Sequence, residues 1–469
     1  MRKTKIICTI GPACSDEKTL EKMCLAGMNV ARLNFSHETH EVHLKRIELI
    51  KKVREKLGLP IAILLDTKGP EFRTGTYENG KIELKKGDKF TLTVRDVVGN
   101  ENIVSVSYKN LNKELFAGDR VLINNGLVEL EVEKIDEEDI VCTVKTGGTL
   151  SNRKSMSFPS KTLKNVYLSE QDKADLLFGL EHGIDFVALS FVSSKKDVEE
   201  VSSFLAEHGH TDVDFIAKIE NAAGVDNIEE ICSVCDGIMV ARGDLGVEVP
   251  YETLPAIQKK LITKCRFLGK RVITATEMLE TMIHNARPTR AEISDVANAV
   301  YDGSSAIMLS GETAMGDYPV QSVEAMAKIA EYTENNIHYE KRFHSCNFEI
   351  KNLNDAISHA TCGMALDIGA KAIIACTLSG RTARMISRFR CPVSIIGLTD
   401  NEETWRRLAL SWGVTPKLCK KYELTEQLFE EAAKIAKSTL NLKKDDRIVI
   451  TAGVAGMTGL TNTIKVETV

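Results

Sequence analysis

The sequence of 469 residues contains no apolar run approaching the roughly 18 residues that span a membrane. Its basic start, Met1–Lys5, is followed by a short apolar stretch, Ile6–Ile10. That stretch is shorter than the roughly 7–15 apolar residues in the core of a signal peptide. We therefore expect a cytoplasmic protein that has no membrane partner.

An excess of positive charge is also absent. Lys and Arg number 61 against 66 Asp and Glu, which gives a formal net charge of −5. A general nucleic-acid binder shows a strong basic excess, so we expect no nucleic-acid partner. Apolar residues make up 43% and charged residues 27% of the chain, typical of a globular protein. At ~150 residues per domain, the length predicts about three domains.

Several short functional motifs are missing. The sequence has neither a Walker A loop nor an HExxH zinc motif, and Gly453–Gly459 lacks the spacing of a dinucleotide-binding loop. The 12 cysteines are scattered, as expected for small buried residues of a cytosolic chain. Only Cys232 and Cys235 form a CxxC pair. That pair is either a redox motif or, as its context favours, part of a packed helix.

The sequence does contain a regular alternation of short β-branched runs with helical patterns. Such runs predict buried parallel strands. They lie at Lys5–Gly11, Asn29–Ser36, Ile61–Gly69, Asp185–Val192, Asp214–Asn221, Gly237–Asp244, Arg271–Met278 and Ser305–Thr313. Eight strand–helix units predict an α/β fold, a closed (β/α)₈ TIM barrel, with a doubly wound open sheet as the alternative. Because nearly every run ends in polar residues, which a barrel gathers on one face, the barrel is favoured.

Two further domains are predicted around this barrel, which takes residues 1–69 and 169–340. Residues 70–168 change to period-2 alternation, which predicts an all-β lid domain inserted after the third strand. Residues 341–469 predict a separate C-terminal α/β domain. An insertion on the catalytic face of a barrel suits a mobile lid.

The strongest candidate for a functional site is the group formed by Lys218, Glu220 and Asp244. Residues two apart on a strand share a face, so Lys218 and Glu220 point the same way, toward Asp244 on the next strand. Two carboxylates without Cys or His suit a hard divalent cation such as Mg²⁺ or Mn²⁺. The alternative is a buried ion pair of Lys218 with one carboxylate.

Other polar groups are weaker candidates. The glycines of Ala241–Gly246 could aim N–H groups at an anion or form an ordinary tight turn. Arg32 and Arg73 could hold phosphate or be solvated charges. The loop Thr377–Thr382 could cradle phosphate or be a plain capped loop.

Cation ligands are a further possibility at two places. Side chains that carry oxygen atoms follow the second and third strands and could bind a cation. The alternative is that these side chains cap helices, and Ser36 is expected to cap the helix predicted at Glu38–Leu57. These groups are Asn34, Ser36, Asp66 and Thr67. His37, His40 and His43 lie on one helix stripe and could hold a metal, although no known zinc signature accompanies them.

Longer segments of the sequence resemble the pyruvate kinase family. The segments lie at Asn29–His37 (NVARLNFSH), Leu65–Gly75 (LDTKGPEFRTG), Ala217–Asn221 (AKIEN), Ile238–Val249 (IMVARGDLGVEV), Ala275–Met282 (ATEMLETM), Arg287–Thr289, Met308–Ala314 (MLSGETA) and Trp412–Pro416 (WGVTP). They span nearly the whole chain in that family's order of barrel, inserted lid and C-terminal domain. The resemblance implies a homotetramer that transfers phosphoryl from phosphoenolpyruvate to ADP in glycolysis, giving pyruvate and ATP.

The resemblance also implies roles for single residues in the barrel. Glu220 and Asp244 would hold Mg²⁺ or Mn²⁺, and Gly243 would line the same substrate site. Lys218 would stabilise the transferring phosphoryl group and the enolate oxygen. Thr276 would help to protonate the enolpyruvate, directly or through water.

Further implied roles concern phosphate, nucleotide, K⁺ and effector. Arg32 and Arg73 would contact phosphate, and the nucleotide would meet Arg32, His37 and Lys154. The K⁺ ligands would be Asn34, Ser36, Asp66 and the Thr67 carbonyl, and Glu71 implies that K⁺ is required. A sugar-phosphate or nucleotide effector would bind at Thr377, Ser379, Gly380, Arg381 and Thr382.

Several positions depart from the family pattern. Asn124 and Asn125 replace an Asp pair in the lid, Ser155–Ser160 replaces a glycine-rich stretch, and Ser193 stands where Arg is common. Ser304 and Ser305 stand where Thr and Asp are common. The barrel residues implied to form the site all match the family pattern, whereas the nucleotide contacts of the lid are expected to differ.

Two other functional hypotheses remain at this stage. One is a catalytically weak paralogue used for ligand sensing or protein interaction, motivated by the lid changes. The other is a different metal-dependent barrel enzyme acting on enolates, such as an aldolase or lyase, which the predicted lid disfavours.

Overall fold

The computed structural model describes residues 2–159, 161, 163, 166–453 and 461–469. The chain begins with two strand–helix units and a third strand, each strand fully or almost fully buried. Their bounds are β1 (Lys5–Thr9), α1 (Glu17–Ala26), β2 (Val30–Asn34), α2 (His40–Leu57) and β3 (Ala62–Asp66).

The predicted β segment follows β3, and it contains one short helix in addition to its strands. Its elements are β4 (Phe72–Arg73), β5 (Lys81–Leu84), β6 (Lys89–Thr93), β7 (Ile103–Ser105), α3 (Leu111–Glu114), β8 (Arg120–Ile123), β9 (Val128–Asp136), β10 (Asp139–Thr146), β11 (Gly148–Ser151) and β12 (Ser155–Ser157). Seven strands form a sheet in the order β4-β12-β8-β9-β10-β6-β7, and β11 pairs with β5. Buried side chains such as Phe90 and Leu130 give this segment a core of its own.

The chain then completes the barrel. The elements are α4 (Glu170–Glu181), β13 (Phe186–Leu189), α5 (Lys195–Glu207), β14 (Asp214–Ile219), α6 (Ala222–Asp226), α7 (Ile228–Val234), β15 (Gly237–Ala241), α8 (Arg242–Glu248), α9 (Leu254–Leu268), β16 (Arg271–Ala275), α10 (Arg290–Asp302), β17 (Ala306–Leu309), α11 (Gly311–Ala314), α12 (Pro319–Asn335) and α13 (Tyr339–Ser345). Eight parallel strands close in the order β1-β17-β16-β15-β14-β13-β3-β2. The barrel prediction is confirmed, and the open-sheet alternative is wrong.

The C-terminal part is an α/β unit with a five-stranded sheet in the order β20-β19-β18-β21-β22. Its elements are α14 (Leu353–Asp367), β18 (Ala372–Cys376), α15 (Arg381–Ser387), β19 (Ser394–Thr399), α16 (Glu402–Arg407), β20 (Val414–Leu418), α17 (Thr425–Leu440), β21 (Arg447–Ala452) and β22 (Thr463–Thr468). The sheet is parallel except for β22, which pairs antiparallel with β21.

Two local predictions are wrong. Ser36 does not cap α2, because that helix begins at His40 with Thr39 at its N-cap position. The Ser36 N–H instead donates to the Asn34 side chain at 3.2 Å, and Glu38 has a left-handed φ of 70° that breaks the helical path. The glycine-containing segment after β15 forms the short helix α8 and not a tight turn.

No helix in the described part of the chain combines the length and the apolar character needed to cross a bilayer.

Candidate active site

Lys218 lies at the centre of polar side chains at the carboxyl ends of the barrel strands. Its Nζ is 3.0 Å from the Asp66 carboxylate at the end of β3 and 3.0 Å from the carboxylate of Glu220, just after β14. It also donates to the Ser190 hydroxyl at 2.7 Å. Strand alternation places Lys218 and Glu220 on the same side, as the sequence predicted.

The charges of this cluster compensate one another. Burial opposes the charge of Lys218, yet Asp66 and Glu220 outweigh burial and raise the pKa of the lysine above its ordinary value. Burial raises the pKa of Glu220 to about 7 against the pull of Lys218, and Asp244 and Asp66 add to the rise. An additional cation beside Glu220 would therefore relieve an excess of negative charge.

Arg32 holds the other side of Asp66. Its Nε is 2.6 Å from the Asp66 carboxylate, and a second guanidinium nitrogen donates to the Thr9 hydroxyl at 2.9 Å. Burial works against the charge of Asp66, but Arg32 and Lys218 keep its pKa below the ordinary value. Since only 9% of Arg32 is exposed, it belongs to the cluster and is not a solvated surface charge.

The backbone after β16 follows an unusual path at Thr276. Thr276 and Glu277 have left-handed φ values of 69° and 52°, which are strained for residues with a Cβ, most of all for a β-branched one. The Arg242 guanidinium donates to the carbonyls of Thr276 at 2.6 Å and Glu277 at 3.1 Å, and pairs with Asp295 at 2.7 Å. This arrangement brings the Thr276 hydroxyl oxygen to the Gly243 N–H, which donates to it at 2.8 Å.

Helix α8 connects this region to the lid. Asp244, in its first turn, is exposed and lines the cleft between barrel and lid. Glu248 ends the helix, and its carboxylate accepts hydrogen bonds from the Ser157 hydroxyl and the Phe158 N–H of the lid. Burial raises the pKa of Glu248 to about 7, although both hydrogen bonds oppose the rise.

The predicted K⁺ ligands come together at two adjacent strand ends. Asn34 and Asp66 are register partners on β2 and β3. The Ser36 N–H contacts the Asn34 side chain, and the Thr67 carbonyl accepts from Ser190 at 2.6 Å. Among the described residues, no group of three or more His, Cys, Asp or Glu side chains is arranged to hold a metal. A cation here would therefore depend on amide, hydroxyl, carbonyl and substrate oxygens as well.

A cleft of about 560 Å³ lies between the barrel and the lid, and Asp244 and Glu248 line it from the barrel side. Arg73 is half-buried and pairs with Glu71 at 2.8 Å, so neither group is free. Lys154 pairs through its backbone with Thr74. Within the described part of the chain, neither Lys154 nor Arg73 lines this cleft.

The lid departures have a partial structural explanation. Asn124 and Asn125 have left-handed φ values of 57° and 56°, and Gly126 follows with 79°. Asn tolerates this conformation better than most residues, so the sequence fits the turn. Ser155 donates to the Asn125 side chain at 3.3 Å, whereas Ser160 lies outside the described residues.

The three histidines do not converge. His37 is exposed, and its carbonyl accepts from His43 at 3.0 Å. His43 is buried and stacks on Phe35, while His40 contacts Asp175 at 2.6 Å. The metal interpretation of this helix stripe is therefore wrong.

The CxxC pair belongs to the packing of the barrel. Cys232 and Cys235 are both buried, and the Sγ of Cys232 lies 3.9 Å from the Sγ of Cys265 on α9. All cysteines described are free thiols. The packing interpretation, and not the redox one, matches this environment.

The predicted effector residues divide between two surroundings. Gly380 has a left-handed φ of 76° and precedes α15, and the hydroxyls of Thr382 and Thr461 are 2.6 Å apart. Arg381 instead lines a cavity between the barrel and the C-terminal domain. Most of the glycine-rich stretch Gly453–Gly459 lies outside the described residues.

Sequence reasoning missed four residues of the site. Ser190 and Arg242 were visible only as polar residues near strand ends, without a role. Glu248 carried no signal, because its importance depends on the lid approaching α8. Phe191 is a further contributor, since its N–H donates to the Glu220 carboxylate at 2.7 Å.

Comparisons with known proteins agree along the whole chain. Models of the pyruvate kinase barrel domain and of the pyruvate kinase alpha/beta domain match residues 1–323 and 355–467. The chain is 46% identical to a pyruvate kinase of Clostridium acetobutylicum, with all of both chains covered. It is 47% identical to one of Geobacillus stearothermophilus, covering all of this chain and 80% of that relative. A solved pyruvate kinase structure from Cryptosporidium parvum has a TM-score of 0.95 at 39% identity, covering 100% of this chain and 96% of that one.

Proposed function

The chain belongs to the pyruvate kinase family and catalyses phosphoryl transfer from phosphoenolpyruvate to ADP in glycolysis; from this premise we propose that the transfer takes place at the cluster around Lys218. The observation that supports this site is the simultaneous contact of Lys218 with Asp66, Glu220 and Ser190 at the carboxyl end of the barrel. Active sites of such barrels lie at that end. An aldolase or lyase assignment is excluded by the family.

The cluster suits phosphoryl transfer because that reaction needs charge stabilisation and alignment more than covalent chemistry. Lys218 places a buried positive charge where the phosphoryl and enolate oxygens gain negative charge. Arg32 supplies a second cation held by Asp66 and Thr9, and Arg73 is proposed to contact phosphate from the lid side. Thr276, beside Gly243, is proposed to deliver a proton to the enolate, directly or through water.

The residues present fit a divalent cation. Glu220 and Asp244 offer hard carboxylate oxygens, and the pKa of Glu220 is raised by burial and by the charges of Asp244 and Asp66, against the pull of Lys218. We propose that these two carboxylates hold Mg²⁺ or Mn²⁺, which supplies positive charge beside the reacting phosphoryl group.

A K⁺ ion is proposed at the adjacent strand ends. Its ligands are Asn34, Ser36, Asp66 and the Thr67 carbonyl. Their clustering through strand register supports this assignment. The requirement for K⁺ is proposed from the family resemblance at Glu71, which pairs with Arg73 in this structure.

The remaining assignments follow the domain order. We propose a catalytic barrel at residues 1–69 and 169–340, a lid at 70–168 and an effector-type domain at 341–469. ADP is proposed to bind near Arg32, His37 and Lys154. A sugar-phosphate or nucleotide effector is proposed at Thr377, Ser379, Gly380, Arg381 and Thr382. We propose from the family relationship that the protein is a cytoplasmic homotetramer.

One coupled assay tests the proposed cofactors. The chain is supplied with phosphoenolpyruvate, ADP, Mg²⁺ and K⁺, and both ATP and pyruvate are measured. Chelation of Mg²⁺ should stop both products, and re-addition should restore them. Replacement of K⁺ by Na⁺ should lower the rate. A full rate without K⁺ would contradict the proposed K⁺ requirement. A very low rate under complete conditions would favour the weak-paralogue hypothesis.

A further inference from the structure

A second cavity, of about 590 Å³, lies between the barrel and the C-terminal domain. Its walls come from α7 and α9 of the barrel and from α15 of the C-terminal domain. This volume is in the range of small-molecule sites, roughly 300–1,000 Å³. Of the proposed effector loop, only Arg381 lines the cavity, so the cavity is a different place from Thr377–Ser379.

The acidic side chains of this cavity are already neutralised. Glu229 pairs with Lys264, and Asp236 contacts Arg384 at 3.4 Å. The two acids from the start of the C-terminal domain are paired as well. These contacts are Glu349 with Lys351 at 3.1 Å and Asp355 with Arg388 at 3.2 Å.

Two cations of the lining have no acidic partner. Arg381 is exposed, and no ion pair or hydrogen bond of its side chain occurs within the described residues. Lys270 donates to the Cys235 carbonyl at 2.6 Å and forms no ion pair among the described residues; Asp236, on which its charge acts, is paired with Arg384. Arg384, one turn after Arg381 on α15, has only long contacts of 3.4 Å to Asp214 and Asp236. The cavity therefore has excess positive charge contributed by both domains.

The rest of the wall suits the organic part of a ligand. Phe267 and Leu268 at the end of α9, and Met385 on α15, line the same space. Guanidinium groups bind phosphate through paired N–H donors, and an ammonium adds a point charge.

We infer that this cavity binds a small phosphate-bearing molecule, whose phosphate is held by Arg381, Arg384 and Lys270 between the two domains. The inference does not depend on the catalytic assignment, and it assigns Arg381 to the cavity and not to the effector loop of Thr377, Ser379, Gly380 and Thr382. It adds a binding site at the domain interface that is separate from the cluster around Lys218.

The test uses the full chain and inorganic phosphate as the probe, with chelator present and ionic strength held constant. Binding is followed by ³¹P NMR line broadening and by equilibrium dialysis for the wild type, Arg381→Gln and Lys270→Gln. The matched control is Arg447→Gln, an exposed arginine on β21 away from the cavity, and Ser379→Ala reports separately on the effector loop.

We expect each cavity variant to lose one phosphate equivalent or to weaken its binding about ten-fold or more, because a charge-assisted contact is removed. Arg447→Gln should bind as the wild type does. Unchanged binding in the two cavity variants would overturn the inference. So would an equal loss in Arg447→Gln, which would indicate a non-specific charge effect, or a loss in Ser379→Ala alone, which would place the phosphate in the loop. Circular dichroism of each variant verifies its fold.

Discussion

Lys218 is fixed by opposite charges at the end of its own strand, β14, and at the end of β3, two strands away in the barrel. Removing one partner from a buried ion pair typically costs ~3–5 kcal/mol of stability, because the remaining charge is left unpaired. Asp66 keeps Arg32 as a second partner, whereas Glu220 relies on Lys218 and on the Phe191 N–H. The position of the lysine is therefore over-determined, as transition-state stabilisation by a preorganised charge requires.

At the same scale, Arg242 is expected to act as a positioning residue for Thr276. Arg242→Lys keeps the charge but removes the fork that reaches the carbonyls of Thr276 and Glu277, a loss of ~1–3 kcal/mol for two such bonds. We predict that kcat falls about ten-fold while KM for phosphoenolpyruvate changes much less. Steady-state kinetics of Arg242→Lys test this prediction. The control is Arg290→Lys, a substitution of an exposed arginine nearby. Equal kcat in both variants would show that the turn does not need Arg242.

Local spacing explains what could be predicted about single residues. Lys218 and Glu220 are two apart on one strand, and strand geometry alone aligns them. Ser190 reaches Lys218 only through the pairing of β13 with β14, and Arg32 reaches Asp66 only through the pairing of β2 with β3. Those contacts depend on tertiary structure, which a single sequence does not display.

Among the elements, α8 connects Asp244, a proposed ligand of the divalent cation, to the lid through Glu248. Burial raises the pKa of Glu248 to about 7, above the ordinary value of a glutamate, so the folded state favours the protonated form of this carboxyl group. The folded chain then binds more protons than the unfolded chain between about pH 4.5 and 7. Stability contributed by this group is present at low pH and is lost as pH rises through 7.

Glu248→Gln should therefore gain thermal stability relative to the wild type as pH rises from 4.5 to 7, with no further gain above that. The Tm of both proteins across this range measures the effect. Glu252→Gln, an exposed glutamate nearby, is the control and should follow the wild type. Parallel curves for wild type and Glu248→Gln would contradict a titrating contact between α8 and the lid.

Element prediction succeeded where burial makes the pattern strong. The barrel strands are buried on both faces and are visible as apolar runs. Strands such as β4, β7 and β12 have two or three residues, too few to show alternation. Strand β20 contains Pro416 and lies at a sheet edge, where proline is tolerated but conceals the strand pattern.

For the whole molecule, buried polar contacts join the barrel to the C-terminal domain. Arg406 on α16 lies 2.7 Å from Asp185, just before β13, and Lys5 on β1 donates to the Val414 carbonyl at 2.7 Å. Arg390 donates to the Gly303 carbonyl at 2.9 Å. The two parts are thus coupled at the barrel end opposite the candidate active site.

Arg406→Met should destabilise the chain without abolishing activity. Asp185 is buried, and its remaining partners are the Ile63 N–H and Arg54 at 3.7 Å, so we expect a loss near ~3 kcal/mol. Denaturant unfolding gives the stability, and the coupled assay at 25 °C gives the activity. The double variant Arg406→Met, Asp185→Asn should recover part of the loss. No recovery would mean that the loss does not arise from the unpaired Asp185 charge.

The central claim is that Lys218 supplies the positive charge for phosphoryl transfer, and the most direct measurement is ATP formation by Lys218→Met. Lys5→Met is the matched control, because Lys5 is also a buried barrel lysine but lies at the opposite end of the strands. With fold verified by circular dichroism, we predict that Lys218→Met loses transfer by at least about a thousand-fold while Lys5→Met retains it. Undiminished ATP formation by a folded Lys218→Met would contradict the account.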